Sequence, residues 1–198
     1  MKNYLFLFLL MIPPLSIFSQ TTKPVYISGY AGFSSPTNQT LYTTSFNAGA
    51  GIEFATGKLT GIGFDANFSN FNSPKNEVSL TVMGYKLYDY GSYNTIAAML
   101  FFKLQNADAA KLPVQPFVKV GLGASVISRT GMSYTEDRIT TYLPDSHSTG
   151  ILFAPSLGMN FNLGGKNKLM LEAQYRINKS GNDDIKAFLM NIGYSFRL

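Results

Sequence analysis

Apolar and polar residues alternate with a period of two along most of this chain. In the last segment, "AFLMNIGYSFRL", every second residue from Phe188 to Leu198 is apolar, and the residues between them are mostly small or polar. The same alternation recurs in seven earlier segments, near residues 25–33, 46–54, 62–69, 95–104, 118–126, 151–163 and 169–178. No segment shows a convincing helical period of 3.6 residues. The pattern therefore predicts an all-β protein of eight strands.

The connections between these strands alternate in length. Short or medium ones lie near 56–59, 106–113 and 164–167, whereas longer ones cover 35–43, 72–92 and 129–148, with a shorter one at 179–185. This asymmetry is typical of an antiparallel up-and-down barrel with short turns at one end. The segment "EVSLTVMGY" could be a ninth strand, but an up-and-down barrel with both chain ends on one side needs an even number of strands. We therefore interpret residues 77–90 as a hairpin-like extension of a long loop.

Residues 1–19 have the three-part pattern of a secretory signal peptide. Lys2 precedes the apolar run "YLFLFLLMI", and Ser19 suits the last position before cleavage. A permanent membrane anchor is the alternative, but the run is shorter than the ~20 residues of a spanning helix. We predict a signal peptide over 1–19 and a single barrel domain over 20–198, exported to the outer membrane.

Alternation does not by itself say which face of the strands lies inside. The interior of an eight-stranded barrel is just wide enough for a packed set of side chains. Gly, Ser, Asn and Ala fit that space better than about forty bulky apolar groups, although a soluble two-sheet sandwich could bury the bulky face. The export signal, the strand lengths and the loop asymmetry favour an eight-stranded transmembrane β-barrel, with apolar side chains facing lipid.

Charged residues of the predicted strands all share the face of small residues. They are Glu53, Asp65, Lys103, Lys119, Glu172, Arg176 and Arg197. A Lys or Arg facing lipid at mid-depth costs about 2–4 kcal/mol, so this segregation is what a membrane barrel requires. We predict a neutralised, hydrogen-bonded network that plugs the lumen. A proton or ion path is the alternative.

The chain resembles the small outer-membrane β-barrel family of the OmpA/OmpX type. The resemblance is carried by the export signal, by the Gly-rich strand–turn–strand "FNAGAGIEFATGKLTGIGFDANFS", and by the alternating C-terminal segment "FLMNIGYSFRL". It implies insertion by the barrel-assembly machinery, which in that family recognises the last strand, often through a terminal aromatic residue. Leu198 stands in that place here. Since the chain has no Trp, an interfacial girdle would use residues such as Tyr26, Tyr30, Tyr42 and Tyr194.

Candidates for catalysis or cofactor binding are scarce. The chain has no Cys, which excludes a disulfide scaffold, a Cys-ligated metal site and a thiol nucleophile. His147 is the single histidine, and it lies beside Asp145, Ser146 and Ser148 in the third long loop. A lipid-modifying enzyme could use it as a general base, but a solvated loop histidine is the simpler interpretation. The pair Asp183–Asp184 indicates a turn rather than a Ca²⁺ site. We predict no enzyme, no cofactor and no metal.

The sequence indicates less about the function of the protein than about its architecture. The formal net charge of +5 comes without a Lys/Arg cluster, so nucleic-acid binding is not indicated. We expect a monomeric, lipid-embedded barrel with a structural or interaction role through its extracellular loops. The Tyr-rich segment 85–93, with Tyr85, Tyr88, Tyr90 and Tyr93, is a possible contact patch, or its rings merely cover the rim. The alternatives are a narrow channel for small solutes, a lipid-modifying enzyme and a soluble exported binder.

Overall fold

The alternating segments form a closed antiparallel barrel of eight strands. The structure is a computed structural model, and it describes residues 24–38, 43–57, 59–71, 86–89, 92–105, 113–136, 139–164, 166–181 and 183–198. The strands are β1 Val25–Pro36, β2 Ser45–Ala55, β3 Thr60–Phe71, β4 Lys86–Asp89, β5 Tyr93–Gln105, β6 Val114–Arg129, β7 Met132–Glu136, β8 Ile139–Leu143, β9 Ser146–Asn162, β10 Asn167–Ser180 and β11 Asp183–Arg197. The predicted signal peptide lies outside the described residues.

Each barrel strand pairs with its neighbours along the chain, and β1 closes the ring against β11. The closing register runs from Tyr26 opposite Arg197 to Pro36 opposite Ala187. Closure pairs the backbone of every barrel strand on both sides, so no edge is left unpaired. The soluble two-sheet sandwich is thereby excluded. None of the described residues forms a helix long and apolar enough to cross a membrane.

The large apolar side chains lie on the outer surface of the barrel. Leu100, Leu122, Ile151 and Leu157 are each at least 60% exposed. The residues that alternate with them are buried inside, among them Asn160, at 2% exposed. The predicted inside-out arrangement is therefore confirmed. An apolar belt of this extent is rare on monomeric soluble proteins and marks a surface that meets lipid or a partner.

The connections differ from the predicted ones in three places. Strands β4, β7 and β8 form a separate three-stranded sheet, so the long connections 72–92 and 129–148 are partly β structure that pairs together. Of the predicted hairpin-like extension over 77–90, only β4 is described, and it pairs with β7 of the other long connection; residues 77–85 and 90 lie outside the described residues. The connection at 179–185 is a tight turn instead of a loop, because β10 and β11 stay paired up to Ser180 opposite Asp183. Gly181, with φ of 53°, supplies the left-handed backbone conformation there.

Candidate functional site

The interior of the barrel holds the predicted charged residues in separate groups along its axis. Nearest the end with the chain termini, Lys103 on β5 donates to Glu53 on β2, with 2.8 Å between Nζ and Oε2. The Lys103 ammonium also lies 4.6 Å from the centroid of the Phe117 ring. Both charged side chains are mostly buried, so the two charges are stabilised by the geometry of the ion pair rather than by hydration.

A second group occupies the middle of the lumen. Lys119 Nζ lies 2.6 Å from Glu172 Oε1 and 3.7 Å from Asp65 Oδ2, so one ammonium bridges two carboxylates. The Tyr30 hydroxyl donates a short hydrogen bond to the other oxygen of Asp65. Tyr30 stands opposite Gly49 on β2 and Gly193 on β11. A Cβ at Gly49 would collide with the Tyr30 ring, so glycine provides the space that the tyrosine fills.

Arg176 forms a third group, farther toward the end with the long connections. It is 1% exposed, and its guanidinium donates to Asn67 Oδ1 at 2.5 Å, to Ser69 Oγ at 3.3 Å and to Gln174 Oε1 at 2.7 Å. The ion pairs found among the described residues do not include Arg176. Neutral amide and hydroxyl oxygens therefore hold this buried cation. Its stability inside the barrel depends on all of these partners together.

A cluster of apolar side chains lies in the lumen beside Arg176 and beyond it toward the long connections. It consists of Phe71, Tyr93, Ile127, Ile185, Ala187 and Leu189, none of them more than 3% exposed. The Phe71 and Tyr93 rings meet edge to face with 6.1 Å between their centroids. We call this set the apolar plug. It lies on the interior face of the barrel at the end from which the long connections leave.

The opposite mouth is polar and contains small cavities. One cavity of about 20 Å³ lies between the first charged group and the mouth, and a second of about 20 Å³ lies between the first two charged groups; each has room for about one water molecule. Tyr26, Lys168 and Asn160 line the outer one. Lys168 Nζ lies 4.4 Å above the Tyr26 ring and donates to Gln115 Oε1 at 3.3 Å. Side chains of the described residues therefore occupy this part of the interior, and each of the two cavities is small.

Six of the seven predicted network residues lie inside the barrel, and Arg197 does not belong with them. Arg197 is at the end of β11, where it pairs with Tyr26 of β1, and its side chain is exposed at the barrel mouth. Lys168, Tyr26 and Tyr30 were missed as lumen residues. For Lys168, the signal was present in the sequence, since it precedes Met170 by two residues on the same face.

The structure places Tyr93, Tyr26 and Tyr30 differently from the expectations for them. Tyr93 is 2% exposed within the apolar plug, so it cannot contribute to a surface contact patch. Tyr88 lies in β4, while Tyr85 and Tyr90 lie outside the described residues. Tyr26 and Tyr30 face the lumen instead of a membrane interface, because both share the inward phase of β1. Tyr194 faces outward as predicted, at 45% exposed, and Tyr42 lies outside the described residues.

His147 lies on β9 rather than in a loop. It stands opposite Ser128 of β6, and its Nδ1 lies 3.0 Å from the Ser128 hydroxyl oxygen. Asp145 instead accepts a hydrogen bond from the backbone N–H of Gly131 at 2.6 Å. The carboxylate that would orient the histidine in a catalytic triad is therefore engaged elsewhere. Within the described ranges, no group of His, Asp and Glu residues could hold a metal ion.

Comparison with known proteins yields one family and several structures. The family model for an outer membrane protein beta-barrel domain matches residues 4–196. A major outer membrane protein from Thermus thermophilus is similar in structure, with a TM-score of 0.59, 13% identity, and coverage of 90% of this chain and 100% of that one. Neisserial surface protein A gives a TM-score of 0.55 at 13% identity, with coverage of 88% of this chain and 97% of that one. The outer membrane protease OmpT from Escherichia coli gives a TM-score of 0.52 at 8% identity, with coverage of 91% of this chain and 99% of that one. At these identities the likeness concerns the fold. None of the curated proteins compared with this chain matches its sequence.

Proposed function

The chain belongs to the family of outer membrane protein β-barrel domains, and on that basis we propose that it is a closed barrel with a structural or interaction role. In this proposal the apolar belt contacts outer-membrane lipid, and the short turns face the periplasm, as is usual in such barrels. The three-stranded sheet then projects from the cell surface. Residues 1–19 are removed on export, the barrel-assembly machinery inserts the chain, and the barrel acts as a monomer without enzymatic activity.

The filled lumen is the observation that carries this proposal. A solute travelling along the axis would have to displace the apolar plug, the Arg176 side chain with its hydrogen-bond partners, and the ion pair between Lys119 and Glu172. Removing one partner of a buried charge pair costs about 3–5 kcal/mol, and each buried large apolar residue contributes a similar amount. Their sum far exceeds thermal energy, which favours a closed barrel over a narrow channel.

The extracellular contact surface is the β4–β7–β8 sheet. It joins two long connections that arise from different parts of the ring, between β3 and β5 and between β6 and β9. Pairing between them gives the surface a fixed shape, which lowers the ordering cost of binding a partner. Tyr142 of β8 is 78% exposed, and a tyrosine ring offers a large contact area at low entropic cost. Tyr88 on β4 belongs to the same sheet.

Conductance measurements distinguish the closed barrel from the channel. We expect the purified protein to give no stable single-channel current in a planar lipid bilayer. A variant in which Phe71, Lys119, Glu172, Arg176 and Leu189 are all replaced by Gly serves as the opened control, provided that it keeps the heat-modifiable migration of a folded barrel. Steady conductance from the unmodified protein would overturn the proposal in favour of the channel.

Site-specific crosslinking tests the interaction role. A photoreactive amino acid replaces Tyr142 at the surface sheet or, as a matched control, the exposed Asn167 at the start of β10. We expect adducts with a cell-surface or extracellular molecule from position 142 and none with that molecule from position 167. Equal labelling from both positions, or none from position 142, would contradict a partner at the sheet.

A further inference from the structure

Positive charge is concentrated at one end of this barrel. Among the described residues, the three acids and three bases buried in the lumen balance, and the end with the long connections is also close to neutral. In the sequence, the short connections, the strand ends beside them and the segments next to the chain termini contain one acidic residue, Asp108, and six basic ones, namely Lys23, Lys58, Lys111, Lys166, Lys168 and Arg197. Of these, Lys166, Lys168 and Arg197 are described by the structure, at the end of the barrel that the family orientation assigns to the periplasm.

Three of these basic residues lie together in the described part of the chain. The Arg197 N–H donates to the Lys166 carbonyl oxygen at 3.0 Å, which joins the end of β11 to the turn before β10. Lys168, two residues after Lys166 in the sequence, lies in the mouth of the barrel. Lys166 and Arg197 are exposed, and none of the three takes part in the ion pairs found among the described residues. We call this set the basic rim.

The basic rim lies at the depth where the apolar belt ends. Leu163, Phe196 and Leu198 are its neighbours in sequence, and they are 57%, 39% and 63% exposed. In a membrane, such side chains contact acyl chains near the interface, and the basic side chains beside them reach the headgroup layer. Phosphate is the anionic group that lies in that layer.

We propose that the basic rim binds the phosphate of an anionic phospholipid headgroup in the periplasmic leaflet. Lys166 and Arg197 supply two cations on adjacent backbone positions, and Arg can donate two parallel hydrogen bonds to one phosphate. Lys168 adds positive potential from the mouth. The rim thereby anchors the barrel mouth to anionic lipid, a role independent of any partner at the surface sheet.

Native mass spectrometry of the folded, full barrel in detergent tests this lipid site. The probes are phosphatidylglycerol and phosphatidylcholine of equal chain length, added separately and together. We expect phosphatidylglycerol to be preferred, and we expect Lys166→Gln with Arg197→Gln to reduce that preference about tenfold, since each basic residue near a membrane surface contributes several-fold to anionic lipid binding. Lys179→Gln with Lys186→Gln removes the same charge from exposed positions at the opposite end and should leave the preference unchanged.

Equal loss in both double variants would overturn the proposal, because net charge alone would then explain binding. Displacement of the lipid by millimolar inorganic phosphate would also overturn it, because the rim would then recognise a free anion rather than a lipid. If the first double variant fails to fold, Lys166→Gln alone, in a turn, should still lower the preference about threefold. No change in that single variant would likewise contradict the proposal.

Discussion

Lys103 and Lys119 occupy directly opposite positions on β5 and β6, inside the barrel. Like charges in such a pair repel each other, and the structure separates them by giving each ammonium its own carboxylate. Lys103 turns to Glu53 and Lys119 to Glu172. Each ammonium also lies near an aromatic ring on the other strand, with Lys103 over Phe117 and Lys119 over Phe101. Two residues that would repel each other alone thereby become the centres of two ion-paired groups.

Loss of Lys119 should strongly destabilise the barrel. Lys119→Met leaves Asp65 and Glu172 buried without a cation, so the free energy of unfolding should fall by about 3–5 kcal/mol. Urea unfolding in detergent, followed by far-UV circular dichroism because the chain has no Trp, measures this change. Lys179→Met, at an exposed position of β10, is the control and should shift the midpoint little.

Removing all three charges of that group tests the electrostatic explanation. Adding Asp65→Asn and Glu172→Gln to Lys119→Met leaves no uncompensated buried charge, so most of the lost stability should return. A triple variant no more stable than Lys119→Met would mean that shape, rather than charge pairing, determines the effect.

The space at Gly49 should be essential for folding. A side chain there meets the Tyr30 ring and the Ala66 carbonyl oxygen, so Gly49→Val should abolish the heat-modifiable, folded form. Gly29→Val is the matched control, since a Cβ at Gly29 meets nothing within 4 Å. Tyr30→Ala combined with Gly49→Val should restore part of the folded fraction. If both single valine variants fold equally well, the tyrosine–glycine contact does not limit packing.

A charge on the apolar belt should be costly. Leu122 is 60% exposed near the middle of β6, and Leu122→Arg should lower stability in lipid vesicles by about 2–4 kcal/mol, as for other arginines at the bilayer midplane. Tyr142→Arg, at the surface sheet, should change stability little. The measurement is the folded fraction against urea concentration in vesicles. Similar midpoints for both variants would argue against a lipid-facing belt.

Replacement of His147 should leave lipid chemistry unchanged. The described side-chain partner of His147 is the Ser128 hydroxyl, and Asp145 is engaged with the backbone, so His147→Ala removes no assembled triad. Lipid mass spectrometry should give the same outer-membrane composition for cells with the natural protein, with this variant and without the protein. A lipid product present only with the natural protein would establish the enzyme instead.

The alternating pattern predicted the eight barrel strands, their antiparallel order and the outward apolar face. It succeeded because side chains on a strand point alternately to the two sides, so a strand between lipid and a polar interior must repeat every two residues. The same rule placed Glu53, Asp65, Lys103, Lys119, Glu172 and Arg176 inside. Arg197 follows the same phase but is exposed at the mouth, since phase gives the side of a strand and not the depth along the axis.

By itself, the sequence determined which side of each strand faces inward, because that depends only on neighbouring residues in one strand. Only the tertiary structure decided what meets inside: Lys119 with Glu172, Tyr30 with Asp65 across Gly49, and the apolar plug that contains Tyr93. Those contacts depend on the register between strands distant in sequence and on ring closure. A local pattern of period two carries no information about either.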